Sequence, residues 1–248
     1  TQSYTHARAA IDLALARGGD QAVVKNGKNI TYYGGKREQT SKNTRVKARV
    51  KAEALREFML TKEKIFVMGH RIADVDSFGA AVGIYRAAKT MDKKVHIVLN
   101  EVTASVKPFY DAFQDNLNYP SDMFITSGQV YDHMVENSMV IVVDTNRPSI
   151  TECPELLRMV KTIVVFDHHR QSSDHIDNTV LSYIEPYASS ACEMVAEVLQ
   201  YIADDIKISS LEANSIYAGI MIDTNNFMNR TGVRTFEAAA FLRRSGAD

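Results

Sequence analysis

Tryptophan is absent from this sequence, cysteine occurs only twice and proline five times. Cys153 and Cys192 have no metal-type spacing, which argues against a disulfide framework and suits a reducing compartment. No apolar run approaches the roughly 18 residues of a membrane span, and no signal peptide precedes the first helix. An excess of one charge is lacking too: Lys and Arg total 29 against 30 Asp and Glu, for a formal net charge of −1. That balance argues against a general nucleic-acid binder, a local basic patch aside. No internal repeat or low-complexity stretch occurs. What remains is 248 residues, 45% hydrophobic and 24% charged, the composition of a globular protein with room for one large α/β domain plus an appendage.

Residues 4–17 read as a helix with an apolar side of Ala9, Ile11, Leu13, Leu15 and Ala16, stopped at Gly18-Gly19. Two short strands, 21–25 and 30–33, flank Asn26-Gly27, a strong hairpin signal. This unit is too small to hold a core, and the chain starts at Thr1 without methionine. Residues 1–35 therefore read as the tail of an upstream domain. Gly18-Gly19-Asp20 resembles the start of a nucleotide-cyclase GGDEF signature but continues as Gln-Ala, so it is assigned no chemistry. Residues 34–43 read as a polar linker. Arg45, Lys47, Arg49 and Lys51, interleaved with Val46, Ala48, Val50 and Ala52, predict an amphipathic helix capped near Asn43 or Thr44. It reads as a solvated connecting helix rather than a polyphosphate-binding face.

From residue 64 the pattern becomes α/β. Runs at 64–68, 94–99, 139–143 and 162–166 are short and β-branched, as suits parallel strands covered on both faces. Helices are expected at 77–91, 106–116, 128–137, 154–160, 190–203, 211–222 and 235–244. The rhythm implies a doubly wound parallel sheet of Rossmann type.

The chemistry gathers after these apolar runs. His70, Asp74 and Asp76 follow the first, Asp144 the third, and Asp167, His168 and His169 the fourth, while Asp223 follows Ile220-Met221-Ile222. Strand ends on one edge of a parallel sheet converge on one crevice. A lone Asp after a strand is usually a helix cap, but that would have to hold separately at four ends. Carboxylates with a few imidazoles suit Mn²⁺ or Mg²⁺, and zinc less well without thiolates. The residues outnumber the needs of one octahedral ion, so two ions sharing a carboxylate fit better, an arrangement that activates water for in-line attack on phosphorus. His6, His96, His133 and His175 lie outside these motifs and read as structural or exposed.

His70-x3-Asp74-x-Asp76-x2-Gly79-Ala80, Val142-Val143-Asp144-Thr145, Asp167-His168-His169 and Asp223-Thr224 resemble the four motifs of the DHH phosphoesterase superfamily, over residues 61–248. The resemblance implies that His70 and Asp74 ligate one metal, that Asp76, His168 and Asp223 ligate the second, and that Asp144 bridges them. It makes Asp167 the residue that orients the motif's histidines, and His169 a catalytic contact to the scissile phosphate or its leaving oxygen. Ser189 and Ser190, at a helix N-terminus, would seat phosphate.

The helix, hairpin and basic helix ahead of this domain resemble the membrane-anchored cyclic-di-AMP phosphodiesterases of Gram-positive bacteria. There, membrane helices, a PAS domain and a degenerate GGDEF domain precede the catalytic part. The resemblance implies a manganese-dependent signalling hydrolase, with two Mn²⁺ per site, converting cyclic-di-AMP to linear pApA by attack of a metal-activated water. It would work at the cytoplasmic face, with membrane contact only through helices outside this chain and no stable nucleic-acid partner. Residues 1–35 would be the end of the degenerate domain and 36–60 a linker and connecting helix. The family's second domain, DHHA1, has no counterpart motif before Asp248, so this chain alone is expected to bind manganese and hydrolyse substrate poorly. Alternatives are a nanoRNA and pAp phosphatase, another DHH phosphoesterase, or a catalytically silent nucleotide sensor. Oligomeric state is left open, a homodimer included.

Overall fold

The computed structural model describes residues 2–16, 21–26, 29–34 and 40–248. Helix α1 (Gln2–Ala16) precedes strands β1 (Gln21–Asn26) and β2 (Asn29–Gly34), which pair antiparallel with Asn26 opposite Asn29. The expected hairpin is therefore present. The Gly18-Gly19-Asp20 stop, Gly27 of the turn and residues 35–39 of the expected linker lie outside the described residues.

Helix α2 (Thr40–Leu60) starts earlier than the expected cap at Asn43 or Thr44. It also departs from a solvated connector. Ala48, Ala52, Leu55 and Met59 recur at helical spacing and are fully buried, while Val46 and Val50 are exposed. A single apolar stripe thus packs against the body of the protein and leaves the basic residues outside.

The body is an all-parallel six-stranded sheet. Its elements in chain order are β3 (Lys64–Met68), α3 (Val75–Thr90), β4 (Lys94–Val98), α4 (Lys107–Gln114), β5 (Phe124–Ile125), α5 (Val130–His133) and β6 (Ser138–Val143). A short 3₁₀ turn, Pro148–Ile150, then leads to α6 (Leu156–Met159), β7 (Thr162–Asp167), β8 (Leu181–Ile184), α7 (Ala191–Ile202), α8 (Ser210–Asp223) and α9 (Val233–Arg244). The strand order β5-β4-β3-β6-β7-β8 is doubly wound, and its direction reverses between β3 and β6, where such sheets bind ligands.

The two faces are unequal. Ile65, Val67, Ile97, Met139, Ile141, Val143, Val164 and Phe166 share a core with α2, α3, α7, α8 and α9. Phe66, Met68, Val98, Val140, Val142 and Val165 meet only a thin layer around Val130, Leu156 and Leu157. The helices expected at 128–137 and 154–160 shrink there to four residues each. In the first, the Ser138 hydroxyl donates to the Val135 carbonyl at 2.6 Å, closing a turn where helix would otherwise continue.

Candidate active site

Register sets the site before any side chain is placed. Met68 lies opposite Val142, and Val143 opposite Phe166, so the residues leaving β3, β6 and β7 emerge side by side. The loop after β3 is pinned at both ends: Arg71 N–H donates to Ile150 O (2.8 Å) and Glu152 N–H to Gly69 O (3.0 Å). A Cβ at residue 69 would strike the Ser77 hydroxyl and crowd its Cβ at 3.3 Å, so glycine lets the strand pass this close to α3 without moving Ser77.

Asp74 is a helix cap and a cleft residue together. Its Oδ1 accepts from Ser77 N–H at 2.9 Å, and its Oδ2 lies 3.6 Å from His70 Nε2. Asp76 points the other way, into the protein. Its two oxygens accept from Ala191 N–H (2.7 Å) and Cys192 N–H (2.8 Å), so a carboxylate from α3 sits on the N-terminus of α7. Asp144 ends β6 with φ of 57°, a left-handed conformation that Asp adopts more readily than most residues, and one that often marks functional sites.

Around Asp144 the groups divide. Its Oδ2 is 3.4 Å from His70 Nε2, and its Oδ1 is 3.3 Å from His168 Nε2. His168 Nε2 is also 3.3 Å from Asp223 Oδ2 and 3.7 Å from Asp76 Oδ2. Potential ligand atoms of His70, Asp74 and Asp144 lie within 4.8 Å of one another, as do those of Asp76, His168 and Asp223, and those of Asp144, His168 and His169. Asp223 is the last residue of helix α8, at the end of the helix expected over 211–222, so it reaches the crevice from a helix end while the other groups follow strands. Close packing of α3 on α8 delivers it: a Cβ at Gly219 would stand 3.0 Å from the Asp76 Cα.

Asp167 Oδ1 accepts from the backbone N–H of His169 (3.1 Å) and faces its Nδ1 at 2.8 Å. It therefore orients one of the two histidines; His168 Nδ1 has no hydrogen-bond partner. Asn146 Nδ2 donates to the other Asp167 oxygen. Asn146 was not singled out from the sequence, although it follows Asp144 by two residues on the same strand exit. Glu152 was missed as well. It is buried, and its carboxylate accepts from Asn100 Nδ2 at 2.6 Å, bracing the segment that holds the β3 loop.

Ser189 and Ser190 depart from the expected phosphate seat. Both are buried. Ser189 Oγ donates to Glu193 Oε2 at 2.5 Å, Ser190 Oγ accepts from Glu193 N–H at 3.0 Å, and Asp76 occupies the N–H groups of Ala191 and Cys192. A helix N-terminus already satisfied by a carboxylate has little to offer a second anion.

The electrostatics follow from crowding. The neighbouring carboxylates of Asp144, then Asp74, lift the His70 pKa to about 10 against the opposing effect of burial. Burial disfavours the His168 cation, but Asp144, Asp76 and Asp223 outweigh it and raise its pKa to about 9. Burial, with Asp144 and Asp223 nearby, pushes Asp76 well up. Burial also works against the Asp144 carboxylate, yet His168 and His70 bring its pKa down. Asp167 raises that of His169. The cluster demands positive charge. Carboxylates and imidazoles without thiolate suit a hard or borderline divalent ion, and Asp144 Oδ1 is buried without a hydrogen-bond partner, so the donors fit such ions.

Comparison with known proteins agrees with this architecture. The family model described as "DHH family, N-terminal domain" matches residues 64–220. The cyclic-di-AMP phosphodiesterase PdeA of Listeria monocytogenes is 40% identical over 245 residues, which is 98% of this chain and 37% of that protein. A probable bifunctional oligoribonuclease and PAP phosphatase, NrnA, of Streptococcus mutans is 30% identical over 189 residues, 75% of this chain and 54% of that protein. An exopolyphosphatase-related protein from Bacteroides fragilis superposes with a TM-score of 0.64 at 20% identity, over 81% of this chain and 58% of that one, a likeness of fold. The chain thus spans little more than a third of the length of PdeA.

Proposed function

This chain belongs to the DHH family, and on that premise we propose that it carries the metal-binding half of a phosphodiesterase that hydrolyses cyclic-di-AMP to linear pApA. The observation that carries the reading is Asp144, with one oxygen toward His70 and the other toward His168. His70 and Asp74 would hold one divalent ion and Asp76, His168 and Asp223 a second, with Asp144 available to both. Manganese is the proposed ion in both places. Two such ions supply Lewis acidity at the phosphate oxygens and lower the pKa of water.

The chain's own residues do the rest. The two N–H groups at the start of α7 fix the Asp76 carboxylate. The His169 side chain is 59% exposed and is held through Nδ1 by Asp167, which leaves its other ring nitrogen for the scissile phosphate. The raised pKa favours an imidazolium there, able to give a proton to the leaving oxygen.

Similarity to PdeA spans 98% of the chain, helix and hairpin included, whereas similarity to NrnA leaves a quarter of it out. That span supports residues 1–35 as the end of a degenerate GGDEF-like domain, 36–60 as a connector and 61–248 as the DHH domain. From the resemblance drawn in the sequence, the parent protein is proposed to be a membrane-anchored signalling protein with its catalytic part at the cytoplasmic face. No helix among the described residues is long and apolar enough to cross a membrane.

The test compares hydrolysis of cyclic-di-AMP with Mn²⁺ by the full-length protein and its Asp144→Asn variant. Asn tolerates the left-handed backbone at this position, so the substitution removes charge rather than fold. Linear pApA from the wild type and none from the variant is the expected result. Turnover retained by the variant contradicts the shared-carboxylate mechanism.

A further inference from the structure

A second cluster lies on the thinly covered face of the sheet, away from the motif residues. His96, in the middle of β4, is 4% exposed and stacks toward Phe66, with ring centroids 6.0 Å apart. Asp122 comes from the loop before β5, and His133 is the last residue of α5. The His96 and His133 rings stand 4.3 Å apart, and potential ligand atoms of His96, Asp122 and His133 lie within 4.8 Å of one another.

The tautomer of His96 can be deduced. Its Nδ1 lies 2.6 Å from the Asp122 carbonyl oxygen, which can only accept, so Nδ1 carries the proton. Nε2 is then a bare lone pair, buried with no hydrogen-bond partner, while the Asp122 carboxylate stands 3.8 Å from Nδ1 and reaches a metal on Nε2 only by turning its half-exposed side chain. Buried polar atoms are rarely left this way without a water or an ion. An imidazole whose other N–H donates to a backbone carbonyl is the arrangement that orients histidine ligands. Burial, with His133 and Lys64 also opposing a positive charge, lowers the His96 pKa. The ring is therefore neutral near pH 7, the form that ligates.

We propose that His96, Asp122 and His133 form a separate transition-metal site, able to take zinc, that ties the loop before β5 and helix α5 to strand β4. Two imidazoles and one carboxylate, with solvent access through the half-exposed side chain of Asp122, make a three-ligand set that zinc completes with water. The cleft cluster, richer in carboxylate, suits harder ions. Divided donor chemistry gives one chain two kinds of metal site.

The test is zinc titration against a chromophoric chelator in the Asp144→Asn background, which weakens competition from the cleft. Removing a residue that merely supports a ligand weakens metal binding about 10–100-fold, so His133→Ala, which removes a ligand, should weaken one zinc equivalent by at least about 100-fold. His133 is partly exposed on a four-residue helix, and thermal melts verify folding. Should His133→Ala fail to fold, Asp122→Asn is expected to lose the same equivalent. At one zinc per chain, X-ray absorption should show two imidazoles in the parent, a signature that His133→Ala loses. Zinc stoichiometry and affinity unchanged by either folded variant would overturn the site.

Discussion

Two imidazoles in the cleft, His70 and His168, hold protons because carboxylates surround them, and their pKa values of about 10 and 9 lie above the unperturbed 6.5. In the metal-free chain, each raised value adds stability that is complete below pH 6.5 and is lost as pH climbs through 9 and then 10. The melting temperature without metal should therefore fall between pH 7 and pH 10, and Mn²⁺ should remove most of that fall by supplying the missing positive charge. Near pH 7.5 Mn²⁺ uptake should release protons, since a ligating imidazole must be neutral. Calorimetry in buffers of different ionisation enthalpy reads that release directly. A second residue-scale expectation concerns Asn146, whose amide holds Asp167 and through it His169. Asn146→Ala should lower turnover by about 10–100-fold while leaving the metal stoichiometry unchanged in a metal-content assay. The sequence made His70, Asp74, Asp76, Asp144, Asp167, His168, His169 and Asp223 legible because each follows an apolar run. Asn146 and Glu152 carry no such mark, since their importance lies in what they brace. Ser189 and Ser190 misled because a helix start exposed in one dimension is buried in three.

At the scale of elements, the cleft depends on how closely α3 and α8 approach. A methyl at Gly219 would collide with Cys192 Sγ and crowd Val75 O at 3.1 Å. Gly219→Ala should destabilise the fold by about 1–3 kcal/mol, although alanine alone improves a helix by about 1 kcal/mol. Urea unfolding measures the difference, and a more stable variant would show that the helices separate freely. The same shift should weaken Mn²⁺ binding, because Asp223 rides on α8. Long helices and central strands were readable from periodicity and β-branching. The edge strands were not: Phe124–Ile125 is two residues long, and Leu181–Ile184 buries only alternate side chains. The amphipathic pattern of α2 was readable, but the surrounding lysines and arginines made it look like a solvated connector, whereas Ala48, Ala52 and Leu55 are buried against the body. Asp223 was marked by the apolar run before it, but its position opposite Asp76 depends on a helix crossing that no local pattern records.

Across the whole molecule, the strand order of a doubly wound sheet reverses between β3 and β6, and the cleft at that reversal gathers carboxylates and imidazoles from the exits of β3, β6 and β7 and the far end of α8. The sheet supplies the spacing, and α8 closes the cluster. Substrate choice is set on top of this shared chemistry, because a family of phosphoesterases uses one fold for several phosphates. The central claim is that this cleft serves a cyclic dinucleotide. Its most direct measurement offers cyclic-di-AMP, cyclic-di-GMP and pApA side by side to the full-length protein with Mn²⁺ and follows the products by chromatography. Cyclic-di-AMP should be consumed first and accumulate as linear pApA. Preference for pApA over the cyclic compound would contradict the account and turn the cleft to the chemistry of an oligoribonuclease and PAP phosphatase.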